Sequence, residues 1–164
     1  IITVHGANYL IPRFQRAYSW NNDNAEDFYL DMKEELEDFF VGSIVLNNQR
    51  LHEKKVIEII DGQQRMITST ILLAAIRDTF QEIGKSAEAE EFQREYIGKY
   101  SQRNHETDYK LIPADHLSEW FERHIQKFPS DEFPAVRNLN AEQKKVRENY
   151  SLFQKEIIIL AFTI

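Results

Sequence analysis

The stretch VIEIIDGQQRMITSTILLAAI, Val56–Ile76, decides how this chain folds. Val56–Ile60 is a compact β-branched run, the composition of a buried strand. Asp61-Gly62 stops it, because glycine accepts backbone angles that other residues avoid. Polar Gln63, Gln64 and Arg65 follow, and from Met66 a segment rich in Ile, Leu and Ala carries no charge until Arg77. The pattern is strand, tight turn, buried helix. Amides at the start of a helix are unpaired and carry partial positive charge, so such a junction suits an anion. Arg65 adds a planar, permanently charged donor fork that matches phosphate. Thr68 lies one turn beyond, with a hydroxyl able to face the same mouth. The bland alternative is a simple turn, with both glutamines as ordinary polar residues of a helix start.

Working outward, Ser43–Leu46 reads as a strand and Asn47–Lys55 as a polar loop, so the two strands form an antiparallel hairpin delivering the chain to Asp61. The helix after the turn, Met66–Ile83, is apolar around most of its circumference near its start, as a buried helix is, and Gly84 closes it. Upstream, Ile1–Val4 and Tyr9–Ile11 read as strands around a His5-Gly6 turn. A helix runs from Asn22 or Asp23 to about Phe40, with Phe28, Met32, Leu36 and Phe39/Phe40 on one face, and Gly42 ends it. Downstream, the spacing predicts a helix over Ser86–Tyr100 with Phe92, Tyr96 and Tyr100 inward, then a polar loop Ser101–Asp108 and a strand Tyr109–Ile112. A further helix over Asp115–Phe128 stops at Pro129. Asn140 and Gln143 resemble a capping box opening a last helix striped by Val146, Tyr150, Phe153 and Ile157. The expected fold is α+β: a small mixed sheet from the N-terminal half, packed by the Met66–Ile83 helix. Residues 1–84 form its core, and 85–164 a helical extension of the same domain.

Composition limits the function. The chain has 164 residues, net charge −7 and 42% hydrophobic residues, which fits a globular domain and argues against a wholly basic nucleic-acid surface. Glu26–Asp38 holds seven carboxylates and one Lys, read as a solvated face. Without cysteine there are no disulfides and no thiolate metal sites, which suits a reducing cytoplasm. No apolar run approaches the ~18 residues of a membrane span. The chain begins at Ile1 without Met and ends on IIILAFTI, so it reads as a fragment of a longer protein.

The second unusual stretch is IPRFQRAYSW, Ile11–Trp20, with two arginines, a glutamine and three aromatics. Either Phe14, Tyr18 and Trp20 anchor the core with the arginines in solvent, or the loop is a cationic, aromatic surface for phosphates or bases. The five histidines show no metal-ligand spacing beyond His116 and Glu119, one turn apart and too few for a site. No Walker A motif, GxGxxG or serine elbow is present.

Together, IPRFQRAYSW, FFVGSIVL and EIIDGQQRMITSTILLAAIRD resemble, in order, the N-terminal domain of GmrSD-type restriction endonucleases, a family related to the ParB/sulfiredoxin-like fold. The resemblance covers about residues 9–80. It implies a prokaryotic system that cuts modified or invading DNA, with a DGQQR motif tied to nucleotide binding and hydrolysis. By position, Asp61, Gly62, Gln63, Gln64 and Arg65 would hold a nucleoside triphosphate, with Asp61 positioning Mg²⁺ or a water and Gln63 or Gln64 orienting the attacking water. Thr68, Arg13, Gln15 and Arg16 would complete the pocket, or Arg13, Arg16, Tyr18 and Trp20 would contact DNA. Ser69-Thr70 departs from the family's usual Thr-Leu pair and leaves open which hydroxyl faces the ligand. The implied partners are DNA, through the full-length protein, a C-terminal nuclease region outside this chain, and a second copy; no membrane is implied. A DNA-sensing module without turnover, and a nuclease with its own metal-binding carboxylates, are the alternatives.

Overall fold

The computed structural model describes residues 7–34, 40–51 and 54–163. Its elements are β1 (Ala7–Leu10), α1 (Asn22–Glu34), β2 (Val45–Leu51), β3 (Lys54–Asp61), α2 (Gln63–Glu82), α3 (Ser86–Phe92), β4 (Gly98–Ser101), β5 (Glu106–Tyr109), β6 (Leu111–Ile112), α4 (Asp115–Phe121) and α5 (Ala141–Thr163). The fold is α+β. A mixed four-stranded sheet runs β2-β3-β1-β6, and β4-β5 form a separate hairpin. β1 lies parallel to both β3 and β6, whereas β2 and β3 are antiparallel.

Sheet and helices share one apolar core. Tyr9, Ile57, Ile59 and Leu111 from the strands meet Ile67, Ile71, Ala74 and Ala75 of α2 and Val146, Tyr150 and Phe153 of α5. Alternation places Ile57 and Ile59 inward while Ile60 is exposed. The expected strand–turn–helix is present, but α2 begins at Gln63, not Met66, so both glutamines and Arg65 belong to its first turn. The capping box is also present: Gln143 N–H donates to Asn140 Oδ1 (2.9 Å) and Asn140 N–H to Gln143 Oε1 (3.1 Å).

Four expectations need correction. Asn47–Leu51 is strand, not loop; β2 is the sheet's edge, where a strand needs only a partner backbone, and Asn47 bonds Glu58 across the ladder (3.1 Å). Ser86–Tyr100 is not one helix. It passes from α3 through a π-helical turn, Gln93–Ile97, into β4. Gly98 makes that exit possible, since a Cβ there would sit 2.6 Å from the Tyr109 ring packed across it. Tyr100 consequently lies on an exposed hairpin and not inward. The predicted Asp115–Phe128 helix changes to a π-helical turn at Glu122–Gln126. The sheet is not built from the N-terminal half alone, because β6 adds to β1 with Tyr9 opposite Leu111. The Ile1–Val4 strand, the His5-Gly6 turn, Leu36 and Phe39 lie outside the described residues; Phe40 is exposed.

Arg77, the first charge after the apolar stretch, is fully buried. Its guanidinium forms a two-pronged pair with Asp78 (2.8 and 2.9 Å), donates to Gln93 Oε1 (2.6 Å) and the Gln126 carbonyl (3.2 Å), and stacks on Phe128. Tyr150 donates to the same Asp78 (2.7 Å), and burial with that carboxylate holds its phenol well above the usual range. This network ties α2, both π turns and α5 together. No helix among the described residues is long and apolar enough to cross a membrane.

Candidate functional site

Gly62 turns β3 into α2 with φ of 95°, in the left-handed region that side chains disfavour. A Cβ there would also lie 2.9 Å from Ile44 Cγ1. The first α-helical bond of α2 is Met66 N–H to the Gly62 carbonyl (3.1 Å), and no side chain caps the end. The amides of Gln63, Gln64 and Arg65 therefore precede the hydrogen-bond ladder and meet no acceptor among the described residues. They border a cavity of about 520 Å³ lined by Gln15, Arg16, Trp20, Asp61, Gly62, Gln63, Gln64 and Arg65. Both stretches singled out in the sequence thus meet at one hollow.

The far wall is the Gln15–Trp20 loop, and side chains from two helices grip its backbone. Gln15 Nε2 donates to the Ile60 carbonyl (2.9 Å). From α2, Gln63 Nε2 donates to the Arg16 carbonyl (3.3 Å) and Gln64 Nε2 to the Ala17 carbonyl (3.2 Å). Gln64 Oε1 accepts from the Ser19 amide (2.8 Å) and hydroxyl (3.3 Å). From α5, Glu142 Oε1 accepts the Tyr18 amide (2.6 Å), Lys145 donates to the Ser19 carbonyl (3.0 Å), and Asn149 Nδ2 donates to the Trp20 carbonyl (3.1 Å). The two glutamines are thus brackets as much as ligand groups. Gln64 is occupied at both ends of its amide, whereas Gln63 Oε1 has no partner among the described residues.

Arg65 lies along the other wall. Its Nη1 donates to the Val41 carbonyl (3.3 Å), and its Nη2 stands 4.0 Å from Asp61 Oδ2, at the outer limit of an ion pair. The side chain keeps 27% of its surface exposed. Gly42, at φ 91°, opens the slot it occupies; a Cβ on Gly42 would fall 1.8 Å from Arg65 Nη1. Arg16 is exposed, without an ion pair among the described residues.

The remaining expected site residues sit elsewhere. Thr68 is fully buried, and its hydroxyl pairs with that of Tyr18 (2.7 Å), so it does not face the mouth. Tyr18 is a core residue, also bonded by Asn149 (2.8 Å); burial pushes its phenol up to about 12, and those two hydrogen bonds partly offset the effect. It offers no surface to DNA. Arg13 is exposed and pairs with Asp115, outside the cavity lining. Phe14, expected as a possible core anchor, is 78% exposed. Trp20 lines the cavity and leans on Phe28, with ring centroids 5.8 Å apart.

For a metal, the described residues offer no cluster of three His, Asp or Glu. Asp61 is the one carboxylate in the cavity lining among the described residues. That donor set fits Mg²⁺, which takes one or two carboxylates and fills its shell with phosphate oxygens and water. His116 and Glu119 turn to different partners, Glu142 (3.2 Å) and Arg123 (3.1 Å).

Four contributors escaped the sequence reading: Gly42, Glu142, Lys145 and Asn149. Gly42 stood in FFVGSIVL but was read as a helix stop. The other three recur at steps of three and four, a polar line beside the apolar stripe of α5 that in sequence resembles an ordinary solvated face.

The family model described as GmrSD restriction endonuclease, N-terminal domain, matches residues 2–164. No curated protein matches the chain.

Proposed function

The chain belongs to the GmrSD restriction endonuclease N-terminal domain family, and from that premise we propose that its cavity binds a nucleoside triphosphate with Mg²⁺ and hydrolyses it. That turnover would license DNA cleavage by the longer protein in cytoplasmic defence against modified or invading DNA. One observation carries the reading: the uncapped start of a 20-residue helix opens, with Arg65 beside it, into a hollow of about 520 Å³. That volume lies in the range of small-molecule sites. Unpaired amides and guanidinium forks are the donors that phosphate oxygens require.

In this reading the amides of Gln63, Gln64 and Arg65, with the Arg65 and Arg16 guanidiniums, hold the phosphates. Gly62 keeps the helix mouth free of a side chain, Gln15 braces the wall, and the Trp20 ring supports the base. Mg²⁺ on Asp61 would neutralise phosphate charge. Hydrolysis adds water to the terminal phosphorus while the bond to the bridging oxygen breaks, giving a nucleoside diphosphate, inorganic phosphate and a proton. Charge shifts onto the leaving oxygen, and donors fixed in advance favour that shift. Gln63, with its free Oε1, is better suited than Gln64 to orient the water.

A thermal-shift panel of triphosphates with and without Mg²⁺, followed by turnover assays, tests this. A ligand at a hundred times its dissociation constant should stabilise the domain by about 2.7 kcal/mol. Arg65→Ala should abolish both binding and turnover; full retention of either contradicts the proposal. A DNA-sensing module without turnover is the second reading, favoured by exposed Arg13 and Phe14 just upstream of Gln15 in the chain. It predicts salt-dependent DNA binding lost in Arg13→Ala or Arg16→Ala and indifferent to Arg65→Ala.

A further inference from the structure

None of the three α5 residues that grip the Gln15–Trp20 loop lines the cavity. We propose that Asn149, aided by Glu142 and Lys145, is a positioning residue that sets where Arg16 and Trp20 stand over the bound nucleotide. The inference rests on the nucleotide reading of the cavity.

From Arg16 to Trp20, each residue offers at least one backbone group to a side chain. Gln63 and Gln64 of α2 hold the carbonyls of Arg16 and Ala17, and Gln64 also takes the Ser19 amide. Glu142, Lys145 and Asn149 of α5 take the Tyr18 amide, the Ser19 carbonyl and the Trp20 carbonyl. A loop without secondary structure is thereby held on both sides, by α2 side chains 45 to 47 positions away and by α5 side chains 124 to 129 positions away.

Asn149 makes the strongest case. It is fully buried, and its Nδ2 bonds both the Trp20 carbonyl and the Tyr18 hydroxyl (2.8 Å). The Trp20 carbonyl can only accept, which settles the orientation of the amide. Its Oδ1 is then left buried without a partner among the described residues. An unpaired buried acceptor is unfavourable, and an apolar residue of similar size would avoid it. What asparagine supplies here is therefore its pair of N–H donors, both aimed at the loop. Glu142 reinforces the grip and is held in turn by His116 at its other oxygen. Small misplacements of site groups matter: about 1 Å can cost on the order of 100-fold in rate.

The chain has two tryptophans, so in a Trp120→Phe background Trp20 alone reports on the loop. Acrylamide quenching of Trp20 is compared among the parent, Asn149→Ala, Lys145→Ala, Lys145→Arg and Tyr150→Phe, alongside triphosphate Kd and KM. Asn149→Ala should raise quenching and weaken nucleotide binding by about tenfold, the equivalent of one buried hydrogen bond. Lys145→Ala should move both in the same direction, and Lys145→Arg, which keeps a donor, should restore them. Tyr150→Phe loosens α5 through Asp78 instead; it should lower the melting temperature and leave quenching and KM unchanged. The proposal is overturned if folded Asn149→Ala and Lys145→Ala match the parent in quenching, or if Tyr150→Phe reproduces their effects. Should Asn149→Ala not fold, the less buried Lys145 pair decides. Should the parent bind no triphosphate, the nucleotide reading falls, while quenching still judges the positioning role.

Discussion

Gly42→Ala separates the fold from the site. A Cβ at residue 42 would stand 1.8 Å from Arg65 Nη1, 3.0 Å from Cζ and 3.6 Å from Cδ. No side chain tolerates such an approach, but the obstacle is the far end of a flexible arginine, so Arg65 leaves and the backbone stays. Placing alanine at φ 91° adds strain of about 1–2 kcal/mol, and about 0.4–1 kcal/mol returns because the unfolded chain is stiffer. Gly84→Ala supplies the control, since Gly84 has φ 79° with nothing within 4 Å of its Cβ position. Both variants carry the same strain, and only Gly42→Ala also breaks the Arg65–Val41 bond. A charged hydrogen bond is worth about 1.5–3 kcal/mol, and the partial exposure of Arg65 lowers that toward ~1 kcal/mol. Each kcal/mol moves the melting temperature of a domain this size by about 2–4 °C. Gly42→Ala should thus melt a few degrees below Gly84→Ala. The decisive quantity is the shift caused by triphosphate and Mg²⁺. Gly84→Ala should keep the parent's shift, whereas Gly42→Ala should lose most of it, as Arg65→Ala does. A Gly42→Ala protein with the parent's ligand shift would refute the assignment of Arg65 to the phosphates.

Other outcomes follow from the same contacts. Thr68→Val keeps the volume and removes the partner of the Tyr18 hydroxyl; it should lower stability by about 1–3 kcal/mol in denaturant titrations and preserve the ligand-induced shift. The Tyr18 phenol, pushed up from 10 to about 12 in the folded chain, stabilises the fold fully below pH 10 and loses that contribution as pH rises through 12. The difference is on the order of 3 kcal/mol. Denaturant midpoints measured from neutral pH into this alkaline range should fall more gently in Tyr18→Phe than in the parent. Arg77→Met leaves the Asp78 carboxylate buried beside Tyr150 with no cation; chemical denaturation should show a loss of about 3–5 kcal/mol, while Kd for triphosphate in the folded fraction stays at the parent value.

What the sequence revealed was local. The β-branched run ending at Asp61-Gly62 and the apolar helix after it need only neighbouring residues to be read, and so does the reciprocal Asn140–Gln143 pair. Phe14 and Tyr18 show where locality fails. Both are aromatic residues of one short loop, yet Phe14 is exposed and Tyr18 is 2% exposed. The difference is that Tyr18 meets Thr68 and Asn149, 50 and 131 positions away. The strand over Asn47–Leu51 was hidden because an edge strand needs no apolar pattern, only a partner backbone. The β4–β5 hairpin was hidden because Gly98 interrupts a helical period that otherwise continues through Tyr100. For the same reason the helical extension concealed its part in the site: Glu142, Lys145 and Asn149 look like solvent-facing polar residues until the loop they hold is folded against them.

The chemistry of the donors makes the proposed anion site compatible with a chain of net charge −7. Free charges on opposite faces of a domain are screened within about 8 Å at physiological salt, so distant acids subtract little from a contact made at hydrogen-bond distance. Inside the cavity the balance is local: among the described residues two guanidiniums and three unpaired amides face a single carboxylate. Neither kind of donor loses a proton in the physiological range. Among the described residues, no histidine or lysine lines the hollow. His116 touches the Glu142 oxygen that does not hold Tyr18. The wall is positioned by side-chain amides, by the Glu142 carboxylate and by Lys145, and in the proposed reading its hold on phosphate comes from shape and fixed dipoles. If the nucleotide reading holds, geometry is the variable that matters, and the glycine slot at residue 42 and the asparagine buried in α5 bear on the site alongside Arg65.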